Sequence, residues 1–388
     1  MELRAGYKKT EVGVIPDDWE TKKLGDCLIK NPDYGINAAA VGYDDTLPTY
    51  LRITDISESG KYLSVNKVSI DNLYATSYYL ENGDIVFART GASVGKTYLY
   101  DINDGQLVFA GFLIRVKANP EILSPNYLIY LTQTKSYWSW VSANSMRSGQ
   151  PGLNSREFMS LSIPLPPTLT EQTAIANALS DADALITSLE NLIAKKRNIK
   201  QGAMQKLLQP KEGWDVKRLG EVVGRVTTGK LDANAMKENG QFRFYTCAKD
   251  YYFIDQYAFD TEALLISGNG ANVGYIHYYK GKFNAYQRTY VLFDFGINVF
   301  YIKLFLDNYL EDRITTEVSA GNTPYIKMDT LTNMTISYPN NTREQTRIAS
   351  ILSDMDNEIT ALENKLEKYK KIKLGMMQNL LTGRIRLI

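Results

Sequence analysis

Residues 171–208 read "EQTAIANALSDADALITSLENLIAKKRNIKQGAMQKLL", and nearly the same stretch occurs a second time in the chain. Residues 344–381 read "EQTRIASILSDMDNEITALENKLEKYKKIKLGMMQNLL", which is identical at 22 of 38 positions without a gap. Such a repeat indicates an internal duplication. A capping box marks the start of each copy, with Thr168 or Asn341 as the cap, so both copies are predicted to be helices.

Apolar residues recur in each copy at alternating spacings of four and three. They are Ile175, Leu179, Ala182, Ile186, Leu189 and Ile193 in the first copy, and Ile348, Leu352, Met355, Ile359, Leu362, Leu366 and Tyr369 in the second. This a/d pattern is typical of a coiled coil, and each copy is the obvious partner of the other. Each helix would be roughly 57 Å long. A helical hairpin inside one core is the alternative, and the 135 residues between the copies argue against it.

The segments that precede the two helices also repeat, and their pattern is mainly that of β-strands. Residues 15–165 and 210–340 have short runs of Tyr, Val, Ile and Phe broken by Gly, Asn and Asp. We therefore predict an α+β fold. Two β-rich globular domains are separated by two long antiparallel coiled-coil helices, with pseudo-twofold symmetry. The predicted domains are a first β-rich domain at 1–167, a spacer helix at 168–209, a second β-rich domain at 210–340 and a second spacer helix at 341–388.

The stretch "RTGASVGKTYLY" at residues 89–100 resembles a phosphate-binding P-loop. A P-loop needs four residues between its glycines, whereas Gly91 and Gly95 have three between them. The second copy keeps the glycines as Gly270 and Gly274 but replaces the Lys and Thr. We therefore predict a strand, a tight turn and a strand in each domain, with glycines that need positive φ or close approach. A nucleotide-binding enzyme is the weaker alternative.

Composition excludes several other classes of protein. The chain has a net charge of +1, so a DNA-binding role would require its basic residues to be concentrated on one face. Only Cys27 and Cys247 are present, which suits a reducing cytoplasm. The single histidine, His277, argues against a zinc site of His and Cys and is interpreted as structural. We expect no membrane helix and no signal peptide, since there is no long apolar run.

The order of several motifs resembles that of the specificity subunits of type I restriction–modification systems, along essentially the whole chain. The motifs are the "W…LG" openings at 19–25 and 214–220, "YLRITDISESGKYL" at 50–63, "GDIVFARTGASVGK" at 83–96, "N…F…L.IPLPP…EQ" at 154–172, and the helix ends "MQKLL" and "MQNLL". The second domain departs from the pattern, with "GNGANVGY" in place of "RTGASVGK".

The resemblance implies that each β-rich domain is a target recognition domain that reads one half of a bipartite DNA site. Each long helix is then a spacer that also docks a methyltransferase subunit. The chain would have no catalytic residue, metal or cofactor of its own. It would direct an adenine methyltransferase that uses S-adenosylmethionine, and an ATP-dependent restriction and translocase subunit, to double-stranded DNA. The implied partners are two methyltransferase subunits, restriction subunits and DNA, with no membrane. A twin-module adaptor for protein ligands is the alternative.

An adenine-methylation motif of the chain's own is not supported. "NPDYG" at 31–35 is the only stretch like [ND]-P-P-[FY], and Asp33 stands where the second Pro is required. The basic runs at 195–200 and 368–373 are interpreted as the solvated face of a coiled coil rather than as DNA contacts.

DNA-binding residues are expected around the glycine turn and the Gly-rich loop of each domain. Arg suits guanine and Asn or Gln suits adenine, while most other contacts go to phosphates. In the first domain we predict Arg89, Thr90, Ser93, Lys96, Arg147, Ser148, Gln150 and Asn154. In the second we predict Asn269, Asn272, Gln287, Arg288, Asn322 and Tyr325. The alternative for each is a solvated loop residue or a turn-forming side chain.

Overall fold

The computed structural model describes residues 5–147, 149–317 and 325–387. The chain divides into two compact units. Unit 1 comprises Met1–Leu189 and Lys365–Ile388, and unit 2 comprises Glu190–Asn364. Each long helix contributes residues to both units. The predicted domain boundaries treat each long helix as a separate segment, whereas the division into compact units cuts through both helices. The predicted boundaries therefore stay a prediction.

In the described part of unit 1, short strands form two four-stranded sheets and two smaller pairs. The strands are β1 (Tyr7–Thr10), β2 (Gly13–Pro16), β3 (Glu20–Lys23), β4 (Asp33–Tyr34), β5 (Val41–Gly42), β6 (Thr49–Leu51), β7 (Val68–Ser69), β8 (Asp84–Ala88), β9 (Thr97–Leu99), β10 (Leu107–Phe109), β11 (Leu113–Lys117) and β12 (Ser162–Leu165). The larger sheets have the orders β4-β11-β8-β9 and β10-β6-β7-β5, and the pairs are β1-β2 and β3-β12.

Among its described residues, unit 2 has one six-stranded sheet and one pair of strands. Its strands are β13 (Trp214–Arg218), β14 (Val223–Thr228), β15 (Phe242–Tyr245), β16 (Tyr252–Ile254), β17 (Phe259–Ser267), β18 (Ile276–Ala285), β19 (Thr289–Phe295) and β20 (Thr335–Pro339). The sheet order is β14-β19-β17-β18-β15-β16, and β13 pairs with β20. The structure therefore combines sheets and helices in each unit, as the predicted α+β class requires.

The helices are two long ones and six shorter ones within the described ranges. They are α1 (Pro125–Leu131), α2 (Lys135–Asn144), α3 (Ser155–Met159), α4 (Leu169–Leu208), α5 (Leu219–Val222), α6 (Val299–Glu317), α7 (Met328–Thr332) and α8 (Thr342–Leu380). The repeated stretches correspond to α4 and α8. The predicted caps are present, because Glu171 N donates to Thr168 Oγ1 (3.2 Å) and Arg343 N donates to Asn341 Oδ1 (2.9 Å).

Both units bury apolar residues contributed by the long helices. Ile175 and Leu179 at the start of α4 lie in the core of unit 1, together with Met377 and Leu380 at the end of α8. Ile348 and Leu352 at the start of α8 lie in the core of unit 2, together with Leu208 at the end of α4. The apolar face predicted from the heptad spacing is thus a buried face at the start of each long helix.

The shorter helices α1, α2 and α6 were not predicted from the sequence. Leu128 and Tyr127 of α1 are buried, and so are Tyr301, Leu306 and Ile314 of α6. Their segments are rich in aromatic and β-branched residues, which favour strands locally. Tertiary packing in the two cores makes these segments helical, so the domains contain more helix than their sequence pattern indicates.

Candidate nucleic-acid interface

The glycine turn is a strand–turn–strand unit in both halves of the chain, as predicted. In unit 1 the turn joins β8 to β9, and in unit 2 it joins β17 to β18, with the same register in each pair. Three backbone hydrogen bonds recur at equivalent positions. They are Val94 N to Gly91 O, Gly95 N to Ala88 O and Lys96 N to Ser93 O in unit 1, and Val273 N to Gly270 O, Gly274 N to Ser267 O and Tyr275 N to Asn272 O in unit 2.

The four glycines of these turns all have positive φ, between 69° and 87°. A Cβ on Gly95 would lie 2.7 Å from Val141 Cγ1 of α2, and one on Gly274 would lie 2.9 Å from Ile314 Cδ1 of α6. The sequence-based prediction of positive φ and close approach is therefore confirmed at these positions. Each turn is held against a helix of its own unit.

The same geometry argues against nucleotide binding at the first turn. A P-loop is followed by a helix whose N-terminus faces the phosphates, whereas Lys96 is followed by the strand β9. Lys96 Nζ lies 2.6 Å from Glu58 Oε1 and is mostly buried. A lysine committed in this way does not cradle phosphates, so the enzymatic alternative has no support at this site.

The Gly-rich loop before α3 lies directly against the first turn. Gly91 N donates to Pro151 O (2.9 Å), and Leu153 N donates to Arg89 O (2.8 Å). Unit 2 repeats the second bond, with Ile326 N donating to Gly268 O (2.8 Å). The bridges Thr90–Gly152 and Asn269–Tyr325 are likewise equivalent. The structure therefore brings together the glycine turn and the Gly-rich loop, on which most of the predicted DNA-binding residues lie.

A third segment, the tight turn before β11 in unit 1 or before β19 in unit 2, is hydrogen-bonded to the glycine turn. Arg89 N donates to Phe112 O (3.0 Å), and Gly268 N donates to Arg288 O (2.9 Å). Each of these turns is closed by its own bond, from Leu113 N to Ala110 O in unit 1 and from Thr289 N to Tyr286 O in unit 2, both 2.8 Å. We call this third segment the tip turn. The glycine turn, the Gly-rich loop and the tip turn together are called the reading frame of each unit.

The predicted residues of unit 1 have different environments within its reading frame. Arg89 stacks on the ring of Tyr34, 4.9 Å from its centroid, and Arg89 Nε is buried with no hydrogen-bond partner among the described residues. Arg147 is paired with Glu157. Asn154 caps α3, accepting from Glu157 N at 3.0 Å. Thr90 and Ser93 are half-buried, Gln150 is exposed, and Ser148 lies outside the described residues.

Some of the predicted residues of unit 2 are bonded within the protein, and others are exposed to solvent. Asn272 Nδ2 donates to Cys247 O (3.0 Å), which holds the glycine turn to the segment that follows β15. Gln287 and Arg288 are exposed on the tip turn, and Tyr325 is 50% exposed beneath Lys327 Nζ, 5.9 Å from its ring centroid. Asn269 is half-buried in its bridge, and Asn322 lies outside the described residues.

A family model described as "Type I restriction modification DNA specificity domain" matches residues 16–201 and 211–373. The chain belongs to this family. The specificity subunit thus carries the family's domain twice, in agreement with the duplication read from its sequence. The predicted resemblance is confirmed.

Three similar proteins are each named as a specificity subunit of a type I restriction enzyme. The type I restriction enzyme EcoDI specificity subunit of Escherichia coli is 37% identical over 169 residues, covering 44% of this chain and 37% of the relative. The putative MjaX subunit of Methanocaldococcus jannaschii is 32% identical over 216 residues, covering 52% and 48%. The MjaVIII subunit of the same organism is 26% identical over 419 residues, covering 96% and 94%. The chain therefore spans less than half the length of the first two relatives and almost all of the third.

Solved structures show the same fold. The type I restriction–modification S subunit from M. genitalium superimposes with a TM-score of 0.65 at 17% identity, covering 98% of each chain. The HsdS subunit from Thermoanaerobacter tengcongensis has a TM-score of 0.50 at 19% identity, covering 96% of this chain and 98% of that one. At such low identity the likeness concerns the fold alone.

Two side chains at the unit 1 reading frame, one on the tip turn and one on the neighbouring strand β4, are not indicated by the sequence pattern. Tyr34 supports Arg89 and is 39% exposed, and Phe112 at the tip turn is 56% exposed. No sequence signal identifies Phe112, because "AGFL" at 110–113 and "YQRT" at 286–289 share no residue. Only the backbone hydrogen bonds show that the two segments are equivalent.

Asp33, in the stretch compared with a methylation motif, is engaged in a partly buried charge cluster. Arg115 Nη2 lies 2.5 Å from Asp33 Oδ2, and Arg115 Nη1 lies 3.5 Å from Asp84. Burial raises the pKa of Asp84. Burial opposes ionisation of Asp33 too, but the hydrogen bonds and charge of Arg115 outweigh it and lower the pKa of Asp33. The cluster ties β4 to β11 and thereby supports the strand that follows the tip turn.

The described residues hold no group of three His, Cys, Asp or Glu side chains placed to bind a metal ion. Over the same ranges, no helix has the length and apolarity needed to cross a bilayer. Arg197 and Lys200 from the basic run at 195–200 contact Glu363 and Asp356 within unit 2, which supports the interpretation of that run as a helix face.

His277 supplies a pH-dependence prediction. Its Nε2 lies 3.0 Å from Ala248 O, and burial lowers its pKa below the usual value despite that contact. The imidazole therefore binds a proton more readily in the unfolded state. The contribution of neutral His277 to folding stability is fully present above a pH of about 6.5 and is lost as the pH falls from there. We expect His277→Gln, whose amide can still donate to Ala248 O, to lose less stability than the wild type between about pH 7 and pH 5.5. Urea unfolding at the two pH values measures this difference, and equal losses would contradict it.

Proposed function

We propose that this specificity subunit reads a bipartite DNA site, with unit 1 on one half and unit 2 on the other. One observation carries the proposal: the two reading frames share their backbone hydrogen bonds and differ in their side chains. A common frame places side chains at a common position relative to a duplex, while different side chains select different bases. Arg89 with Tyr34 in unit 1, and Gln287 with Arg288 in unit 2, are the residues best exposed or supported for this role.

In this proposal α4 and α8 form an antiparallel coiled coil that gives the chain pseudo-twofold symmetry and sets the distance between half-sites. Contacts inside each unit support it. Within unit 2, Lys200 pairs with Asp356, Lys196 with Glu358 and Arg197 with Glu363, so residues later in α4 face residues earlier in α8. Within unit 1, Lys373 Nζ lies 2.7 Å from Asp183 Oδ1. Partly exposed ion pairs of this kind fix register and orientation more than they stabilise.

The subunit is proposed to act without catalysis of its own, in the cytoplasm, where free Cys27 and Cys247 remain reduced. Its helices would dock two methyltransferase subunits, and restriction subunits would join them on double-stranded DNA. S-adenosylmethionine and ATP would bind in those partners. These assignments follow from the family and stay predictions.

The direct test is methylome sequencing of a strain that carries this chain and its methyltransferase partner. We expect one bipartite motif with a fixed spacer, and no such motif in a strain without the chain. Methylation at a continuous motif, or none that depends on the chain, would overturn the proposal.

Salt dependence of binding is a further expectation. Phosphate contacts release counterions, so the affinity of the complex for a duplex with the motif should fall by about a thousandfold or more from about 50 to about 200 mM salt. Fluorescence anisotropy over this range measures the slope of log K against log salt concentration. A slope near zero would contradict a DNA-reading role, while a scrambled duplex separates specific from non-specific binding.

A further inference from the structure

Phe112 and Arg288 occupy the same position in the two reading frames. The carbonyl of each accepts the hydrogen bond from the first residue of the glycine-turn segment, Arg89 or Gly268. The preceding residue of each tip turn donates to the carbonyl of an isolated bridge residue at 2.9 Å, from Gly111 N to Ile36 O and from Gln287 N to Leu231 O. The equivalence therefore rests on matched bonds on both sides of the position.

The backbone around Phe112 is fixed, while its side chain has no place in the protein core. Its neighbours Leu113 and Ala110 are 0% and 4% exposed, whereas Phe112 is 56% exposed. A large apolar side chain held outward on a rigid turn, beside the stacked pair Arg89 and Tyr34, has no evident role in folding. The backbone hydrogen bonds of the turn fix its position, so the exposed ring is available for contact with a ligand.

We propose that Phe112 is a base-contacting residue of the first half-site and that it recognises a thymine through the C5-methyl group in the major groove. This inference rests on the proposed function. Arg is the side chain that reads the guanine edge in the major groove, and apolar side chains contact the thymine methyl there. A position that holds Arg in one unit and Phe in the other is thus one at which the two half-sites differ in sequence, with guanine read by Arg288 and thymine by Phe112.

The first experiment compares the methylomes of strains carrying the wild-type chain, Phe112→Ala, Arg288→Ala and the control Leu73→Ala, each with the methyltransferase partner. Leu73 is a matched control because it is an apolar residue of unit 1 that is 96% exposed and lies outside the reading frame. We expect Phe112→Ala to relax one T·A position in one half-site only, Arg288→Ala to relax a G·C position in the other half-site only, and Leu73→Ala to change nothing. An unchanged motif with Phe112→Ala, or relaxation in both halves, would overturn the inference. A wild-type chain without any bipartite motif would instead overturn the proposed function itself.

The second experiment measures binding of the purified complex to duplexes in which that thymine is replaced by uracil, which lacks only the methyl group. The wild type should lose about fourfold in affinity, the factor expected for one buried methyl group. Phe112→Ala should bind the thymine and uracil duplexes equally. If the wild type does not distinguish the two duplexes, or if Phe112→Ala still does, the methyl contact is wrong. Unstacking at the site, reported by an adjacent 2-aminopurine, would assign Phe112 as a wedge and likewise overturn the inference.

Discussion

Insertion of four residues into each long helix is expected to lengthen the gap between the half-sites by one or two base pairs. Four residues add about 6 Å to a helix and turn it by about 400°, a net rotation of about 40°. One base pair adds about 3.4 Å along the duplex and turns it by about 35°. The added length and rotation of the helices therefore match one base pair in angle and one or two in distance.

The insertion sites can be placed at one level of the proposed coiled coil. One insertion follows Ile199 in α4 and the other follows Asn357 in α8. Both partners of the Lys200–Asp356 pair then lie on one side of the inserted residues, and both partners of the Lys196–Glu358 pair lie on the other side, so neither pair is broken. Methylome sequencing of the double insertion reads the new gap directly. The same insertion in α4 alone is the control, since it shifts one helix against the other and should abolish methylation. A double insertion that methylates its site with an unchanged gap would show that the helices do not set the spacing.

The long helices and the glycine turns could be predicted because their signals are local. A cap at Thr168 and the recurring apolar spacing define α4 without reference to any other segment. Gly91 and Gly95 recur as Gly270 and Gly274 because positive φ is required at each. Backbone geometry alone demands glycine there, so the sequence retains it when neighbouring side chains change.

The partners of the predicted site residues could not be read from the sequence, because they come from distant parts of the chain. Lys96 is paired with Glu58, and Arg89 stacks on Tyr34. The sequence pattern does not distinguish a solvated loop residue from a loop residue whose side chain contacts another part of the protein. Helix α6 was missed for the related reason that packing in the core of unit 2 overrides the strand preference of its aromatic residues.

Substitution of Gly95 by alanine is expected to be among the most destabilising changes in unit 1. Gly95 has a φ of 87°, which costs an L-residue about 1–2 kcal/mol. Its Cβ would also lie 2.7 Å and 2.9 Å from the two methyl carbons of Val141, which is 3% exposed and held by α2. Overpacking of this kind costs about 1–3 kcal/mol. The combined loss of unfolding free energy is therefore about 2–5 kcal/mol.

Gly91→Ala is the matched control, because Gly91 has a similar φ of 69° in the same turn. The nearest atom to its Cβ is Gln150 Nε2 at 2.7 Å, the end of an exposed side chain that can move away. This variant should lose only the backbone term, about 1–2 kcal/mol. Tryptophan fluorescence in urea follows unit 1 preferentially, since Trp19, Trp138 and Trp140 belong to it and Trp214 belongs to unit 2. Equal losses for the two variants would show that contact with α2 does not constrain the turn.

The double variant Gly95→Ala with Val141→Ala separates steric conflict from backbone strain. Val141→Ala alone loses core packing, but it also removes the methyl groups that the new Cβ would meet. The two changes together should therefore destabilise less than the sum of the single changes, with a favourable coupling of about 0.5–3 kcal/mol. Because the glycine turn is hydrogen-bonded to the Gly-rich loop and to the tip turn, Gly95→Ala should also reduce methylation of the DNA site, and the double variant should recover it. Methylation recovered without any gain in stability would instead mean that Gly95 acts on DNA recognition directly, and not by holding the reading frame against α2.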